Sequence, residues 1–252
     1  MQIIWHGTAA IEYVCSGGRL LLDPFLPLPG SAHRGDIAEY DGFPDIFVTH
    51  GHFDHIVNLP EIIGRTPRTR IHCTGTPYRT LAGKGVPEGN LSLLRPADSL
   101  TLDGFEISVL PGRHAELPKA TPAQLKRVLF SGNQRNLPFI LRENGRCREN
   151  GETLFLVLRG EGRTVFHMGS LNLRDDVEYP TGCDLLLLPY NGWEDNLPPA
   201  RETIRRLKPG RVLLHHFDNT FPPVTSAPEL VPLLEEYGGL IEVPGYGIPV
   251  EL

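Results

Sequence analysis

Long apolar runs, paired cysteines and a surplus of positive charge are all missing from this sequence, and each absence removes a class of protein. No stretch of about eighteen consecutive apolar residues is present, so no membrane-spanning helix is expected. The chain opens on the strand pattern Gln2-Ile-Ile-Trp5 in place of a basic segment and an apolar signal region, and a cytoplasmic location is expected. Cys15, Cys73, Cys147 and Cys183 stand far apart with no C-x-x-C pair. They read as reduced thiols, neither a disulfide framework nor a zinc knuckle. Lysine and arginine number 24 against 30 aspartates and glutamates, a net charge of -6, and this balance lacks the basic footprint of non-specific nucleic-acid binding. Neither a membrane nor a nucleic-acid partner is expected from this balance, and a homo-oligomer is compatible with the composition. At 252 residues the chain is long enough to bury a sizeable core as one domain, residues 1-252.

What is present is histidine in an unusual arrangement. Thr49-His50-Gly51-His52-Phe53-Asp54-His55 places three imidazoles and a carboxylate in the pattern H-x-H-x-D-H. Imidazole nitrogen and carboxylate oxygen suit zinc, manganese or iron(II), and catalytic sites of this kind leave one coordination position open. Without a cation, so many buried polar groups would be costly. Ile46-Phe-Val48 before the run reads as a buried strand, and Asp54 to Ile63 after it reads as a helix with Asp54 near its N-cap. On that strand-to-helix turn, His50 and His52 converge on one ion and Asp54 and His55 point toward a second.

With these motifs in view, the sequence resembles the metallo-β-lactamase superfamily of binuclear metallohydrolases over nearly its whole length. Ile3 to Val14 followed by Arg19-Leu-Leu-Leu-Asp23-Pro24 is similar to the family's opening hairpin, which ends in Asp-Pro close to the metals. Phe105 to His114 resembles the strand that delivers the third ligand of the first metal. Thr164-Val-Phe-His-Met-Gly169-Ser170 resembles the strand ending in Gly-Asp, and Arg211-Val-Leu-Leu-His-His216-Phe217 the strand delivering the last histidine. The resemblance implies a first site of His50, His52 and His114 and a second of Asp54, His55 and His216. It implies zinc as cofactor, one or two ions per chain, with manganese or iron as alternatives. His216 is preferred to His215 because adjacent strand residues face opposite sides and the family pattern ends in His followed by an aromatic. His6, His33, His72 and His167 are read as structural.

One motif departs from the pattern. Ser170 stands where the resemblance places an aspartate bridging both ions, and a neutral hydroxyl is a poor substitute, so the second ion is expected to be the weaker. Asp175 and Asp176, just downstream, are an alternative source of that carboxylate.

The fold implied is α/β (α+β), a four-layer αββα metallo-β-lactamase-like sandwich, and continuous apolar runs such as Leu185-Leu-Leu-Leu188 fit strands buried on both faces. Strands are expected at 2–5, 10–15, 19–22, 46–49, 70–73, 105–110, 153–159, 164–168, 184–188, 212–215 and 240–243, and helices at 54–63, 77–82, 199–207 and 227–237. Residues 115-151 break this rhythm and read as an insertion or lid with one helical pattern at 122–130. Phe130, Asn133, Asn136, Pro138 and Phe139 there, Tyr190, Asn191 and Trp193, and the segment 218–223 are candidate substrate walls.

The chemistry that follows is hydrolysis of an ester, lactone or phosphodiester in a small-molecule substrate by metal-bound hydroxide, with Asp54 as the catalytic residue that orients it and accepts its proton. The rival readings are a metal- or ligand-binding domain that has lost catalysis, suggested by Ser170, and a single-iron dioxygenase of the same fold.

Overall fold

Leu185 to Leu188 show how this sequence makes layers. In the computed structural model of the protein, which describes residues 1–31, 33–115, 134–190, 196–218 and 227–252, Leu185 and Leu187 pack into one apolar cluster and Leu186 and Leu188 into another. All four are fully buried, as a strand covered on both faces requires.

Seven strands form the first sheet: β1 (Gln2–Trp5), β2 (Ile11–Cys15), β3 (Gly18–Leu22), β4 (Asp45–Phe47), β5 (Arg70–Cys73), β6 (Leu91–Leu93) and, from the far end of the chain, β14 (Val250–Glu251). Seven more form the second: β7 (Ser99–Leu102), β8 (Phe105–Pro111), β9 (Leu154–Gly160), β10 (Arg163–Met168), β11 (Leu185–Pro189), β12 (Val212–His215) and β13 (Ile241–Glu242). Their orders are β14-β1-β2-β3-β4-β5-β6 and β13-β12-β11-β10-β9-β8-β7. Each sheet begins as an antiparallel meander, β1 to β3 or β7 to β10, and continues in parallel strands.

Parallel neighbours need crossovers, and among the described residues these supply every α-helix except the one between the antiparallel strands β8 and β9. Between β4 and β5 lie α1 (Phe53–Ile56) and α2 (Leu59–Arg65), and between β5 and β6 lies α3 (Gly75–Gly83); α4 (Leu137–Arg146) precedes β9, α5 (Leu197–Leu207) joins β11 to β12 and α6 (Ala227–Tyr237) joins β12 to β13. Apolar side chains of both sheets, among them Ile3, Leu20, Phe47, Ile107, Leu156 and Leu213, share the central core. Helices cover both outer faces: α1 to α4 on the first sheet and α5 and α6 on the second. The expected four layers are present. None of the helices among the described residues is long and apolar enough to cross a membrane.

Several boundaries differ from expectation. The single helix over 54–63 is two, because Pro60 in the first turn of α2 cannot donate back into a continuous helix, and Asn58 at the junction instead accepts from Leu26 N at 3.0 Å. The cap position of α1 falls on His52, with Asp54 in its first turn. β6, β7 and β14 were not expected from the sequence; they are short and partly exposed, so they lack an apolar run. The helical pattern at 122–130 lies outside the described residues. Within the same insertion, however, α4 docks firmly: Phe139 meets Phe53 edge-on, Cys147 is buried, and buried Glu143 accepts from Lys84 Nζ at 2.9 Å.

The ends of β3, β4, β8, β10 and β12 carry Asp23, Thr49 to His55, His114, Gly169-Ser170 and His216 respectively, and these segments meet in space.

Candidate metal centre

Asp23 closes β3 in a left-handed conformation, φ 48°, and is completely buried. One of its oxygens accepts from Thr49 N at 2.8 Å; the other accepts from Thr49 Oγ1 at 2.6 Å and lies 3.0 Å from His55 Nδ1. Having given its proton to Asp23, the Thr49 hydroxyl can only accept from His50 Nδ1, 3.1 Å away. Both histidines thus carry their proton on Nδ1 and present a bare Nε2, the tautomer that a ligand needs.

Two groups of ligand-capable side chains result. His50, His52 and His114 form one and Asp54, His55 and His216 the other, the ligand atoms in each lying within 4.8 Å of one another. In the first, His50 Nε2 and His52 Nδ1 stand 3.2 Å apart, close to the roughly 3.3 Å expected of two nitrogens sharing a tetrahedral zinc. His114 donates from Nδ1 to Ala115 O at 2.6 Å, which again frees Nε2. In the second, Asp54 Oδ2 lies 3.1 Å from His216 Nε2 and 4.0 Å from His55 Nε2. The His50 and His55 ring centroids, 3.9 Å apart, join the two groups. The donor set fits divalent metal: it is nitrogen-rich, has one carboxylate, and the outward-facing nitrogens of His50, His55 and His114 are already engaged.

Local backbone explains how the segments approach so closely. At Gly51, between the two histidines, a Cβ would collide with the Arg148 carbonyl, and at Gly169 a Cβ would come within 2.5 Å of Thr49 Cβ. Glycine is the residue both positions admit. His216 leaves β12 at φ 62°, its N–H donating to Thr8 O at 2.8 Å, and so turns toward Asp54. His215 instead points between the sheets, where its ring lies 5.4 Å from that of His167.

Electrostatics within the centre follow from burial and neighbours. Burial, and then the other imidazoles, push His50 well below its ordinary value; burial likewise brings His52 down to about 4 and lowers His114. The first group is thus neutral and ready to donate electron pairs. Burial would raise the Asp54 carboxyl, but His55 and His216 outweigh it and hold Asp54 well below the usual carboxylate range. For His55, burial is outweighed by Asp23 and Asp54, and the imidazole is raised.

Other histidines lie elsewhere, as expected. His6 pairs with Glu12 at 2.9 Å, His72 pairs with Asp45 and stacks on Phe47, His33 stacks on Tyr246, and His167 meets Tyr13 Oη at 2.7 Å. Ser170 accepts at Oγ from Ala115 N at 2.9 Å. Asp175 and Asp176 do not replace the missing carboxylate: they face outward, toward Arg206 and Arg174. Two wall candidates are also corrected. Tyr190 is buried in the outer core of the second sheet, and Asn136 is buried with Nδ2 donating to Pro29 O at 2.9 Å. Phe130, Asn133, Asn191, Trp193 and residues 219–223 lie outside the described residues. Thr49 and Glu149 have roles beyond those expected from sequence, and for Thr49 the readable signal is a hydroxyl directly before H-x-H at a strand end. The Glu149 carboxylate accepts from Gly151 N and from Thr153 N and Oγ1, and it acts electrostatically on His52 and His114.

Comparison with known proteins bears on the family and the fold. Residues 18–217 match the family described as "Beta-lactamase superfamily domain". A UPF0173 metal-dependent hydrolase of Methanopyrus kandleri is 28% identical over 236 residues, covering 91% of this chain and 89% of that protein. Among solved structures, Igni18, a metallo hydrolase from Ignicoccus hospitalis, superposes with a TM-score of 0.65 at 21% identity over 99% of this chain and 97% of its own. Zn(2+)-bound PqqB from Methylobacterium extorquens gives 0.63 at 13% identity, over 100% of both chains. At such identities these two structures speak to the fold alone.

Proposed function

This chain belongs to the family of the Beta-lactamase superfamily domain, and on that premise we propose that it is a metal-dependent hydrolase acting on an ester, lactone or phosphodiester of a small molecule, with zinc as its metal. The observation that carries this reading is the convergence of all six expected donors into two groups joined at His50 and His55. Naming of the Methanopyrus kandleri relative as a metal-dependent hydrolase supports the same class.

His50, His52 and His114 would hold the first ion, and Asp54, His55 and His216 a second. When bound, such an ion supplies a nucleophilic water at neutral pH and polarises the oxygen of the group under attack. Asp23, through Thr49 and directly, keeps His50 and His55 in the donor tautomer. Without metal, His55 and His216 hold Asp54 ionised; with an ion in place, its free oxygen would accept a hydrogen bond from the attacking water and fix its direction. Where no second ion is held, His216, beside Asp54 and less buried, would instead steady negative charge that develops on the substrate.

The test is metal analysis of purified protein, paired with hydrolysis of bis(p-nitrophenyl) phosphate, a simple lactone and a p-nitrophenyl ester before chelation, after it and after zinc is restored. Chelator-sensitive, zinc-restored hydrolysis of at least one is expected. Bound metal with no hydrolysis of any would favour the binding-domain reading.

A further inference from the structure

We infer that Ser170 is a positioning residue for His114, its hydroxyl holding the backbone that carries this imidazole instead of joining two ions. The inference rests on the reading of His50, His52 and His114 as ligands of one ion.

His114 differs from its companions in how it is held. His50, His52, Asp54 and His55 sit on a tight strand-to-helix turn braced by Asp23, and His216 is fixed by Thr8 at the end of β12. His114 lies beyond β8 in irregular backbone. Its segment is fastened to residues 170–172 at three points: Arg113 bridges Asn172, Asn172 Nδ2 reaches His114 O at 3.4 Å, and Ala115 N donates to Ser170 Oγ at 2.9 Å. The last is the shortest of the side-chain contacts and bears on the imidazole itself. His114 Nδ1 donates to Ala115 O at 2.6 Å, so the same peptide neighbourhood that Ser170 anchors sets the ring's tautomer and tilt.

Ser170 is itself immobile enough to serve as an anchor. It is 9% exposed, and Gly169 before it is wedged against Thr49 while its N–H donates to Leu154 O at 3.0 Å. A carboxylate here would offer charge to two ions at once. The hydroxyl instead takes up the Ala115 N–H, and among the described residues no carboxylate is shared by the two donor groups. The two roles predict opposite outcomes: a bridging residue matters most to the second ion, whereas an anchor for His114 matters to the first.

The experiment is a double-mutant cycle of Ser170→Ala and His114→Ala, with Ser170→Thr as rescue. The affinity of the tightest zinc ion is read by competition with a chromophoric chelator, and hydrogen exchange of the Ala115 amide is followed in the wild-type protein. Ser170→Ala is expected to weaken that ion roughly 10-fold, the lower end for a group that orients a ligand. Ser170→Thr should restore affinity to within about 3-fold, and Ser170→Ala should add nothing once His114 is alanine. The wild-type Ala115 amide should exchange slowly. Unchanged affinity in Ser170→Ala, its full effect persisting beside His114→Ala, or a fast-exchanging Ala115 amide would each overturn the inference. The amide measurement decides the matter if Ser170→Ala does not fold. Unchanged affinity in His114→Ala would instead overturn the ligand reading on which it rests.

Discussion

Asp23 and His55 meet at 3.0 Å in a space that excludes water from both side chains, and the same carboxylate oxygen accepts from the Thr49 hydroxyl that supports His50. One residue, 26 positions before Thr49, therefore sets a histidine in each of the two donor groups.

Asp23→Asn should weaken both groups together. An amide cannot accept from Thr49 and His55 while its nitrogen also needs acceptors, so one imidazole loses its Nδ1 partner. Zinc affinity is expected to fall roughly 10- to 100-fold, as for other residues that orient metal-binding histidines. Chelator competition checks this; full affinity for both ions would show that the tautomers are set elsewhere.

Asp54→Asn keeps the shape and one acceptor oxygen but removes the charge. The ion held by the three histidines should remain, while turnover should drop about 10²- to 10⁴-fold. Steady-state assays beside metal analysis of both proteins provide the check. A wild-type rate with metal in place would remove Asp54 from the mechanism.

Gly51→Ala should destabilise the fold. The new methyl group would meet the Arg148 carbonyl, which belongs to backbone and cannot swing aside. A cost of about 1–3 kcal/mol is expected from such overpacking, seen as a lower denaturation midpoint. An unchanged midpoint would mean that the segment following α4 does not rest on the histidine turn.

Stability should fall in mild acid partly through His167. Burial lowers this imidazole from 6.5 to about 4, so the unfolded chain takes up a proton below pH 6.5 that the folded chain refuses until about pH 4. The stability His167 permits is thus complete above pH 6.5 and is lost as pH falls through that window, by about 2 kcal/mol between pH 7 and 5. Denaturant titrations with chelator present should show a correspondingly shallower loss for His167→Gln. Parallel pH curves for the two proteins would contradict the assignment.

Local and periodic features were legible from sequence, and long-range partners were not. The Leu185 to Leu188 run announced a doubly covered strand because every one of its side chains must leave water. H-x-H-x-D-H announced its own turn because its four donors and two spacers are contiguous in sequence. Strand alternation limited the choice to one of His215 and His216, and the aromatic after His216 favoured the latter; the left-handed φ at His216 also contributes to its direction. By contrast α4 was hidden: Pro138 in its first turn, Gly145 near its end and the charges of Arg142, Glu143 and Arg146 mask an apolar face of only Phe139 and Ile140. Nor does anything near Ser170 in sequence reveal Ala115, 55 residues earlier, as the donor to its hydroxyl.

Where metal binds is the defining property of this centre. Crystals grown with zinc, with diffraction recorded on both sides of the zinc absorption edge, locate the ions directly. The strongest anomalous peak should lie about 2.0–2.1 Å from nitrogens of His50, His52 and His114, with a weaker peak at Asp54, His55 and His216. Saturating zinc with no peak at either group, or with ions only at other side chains, would contradict it.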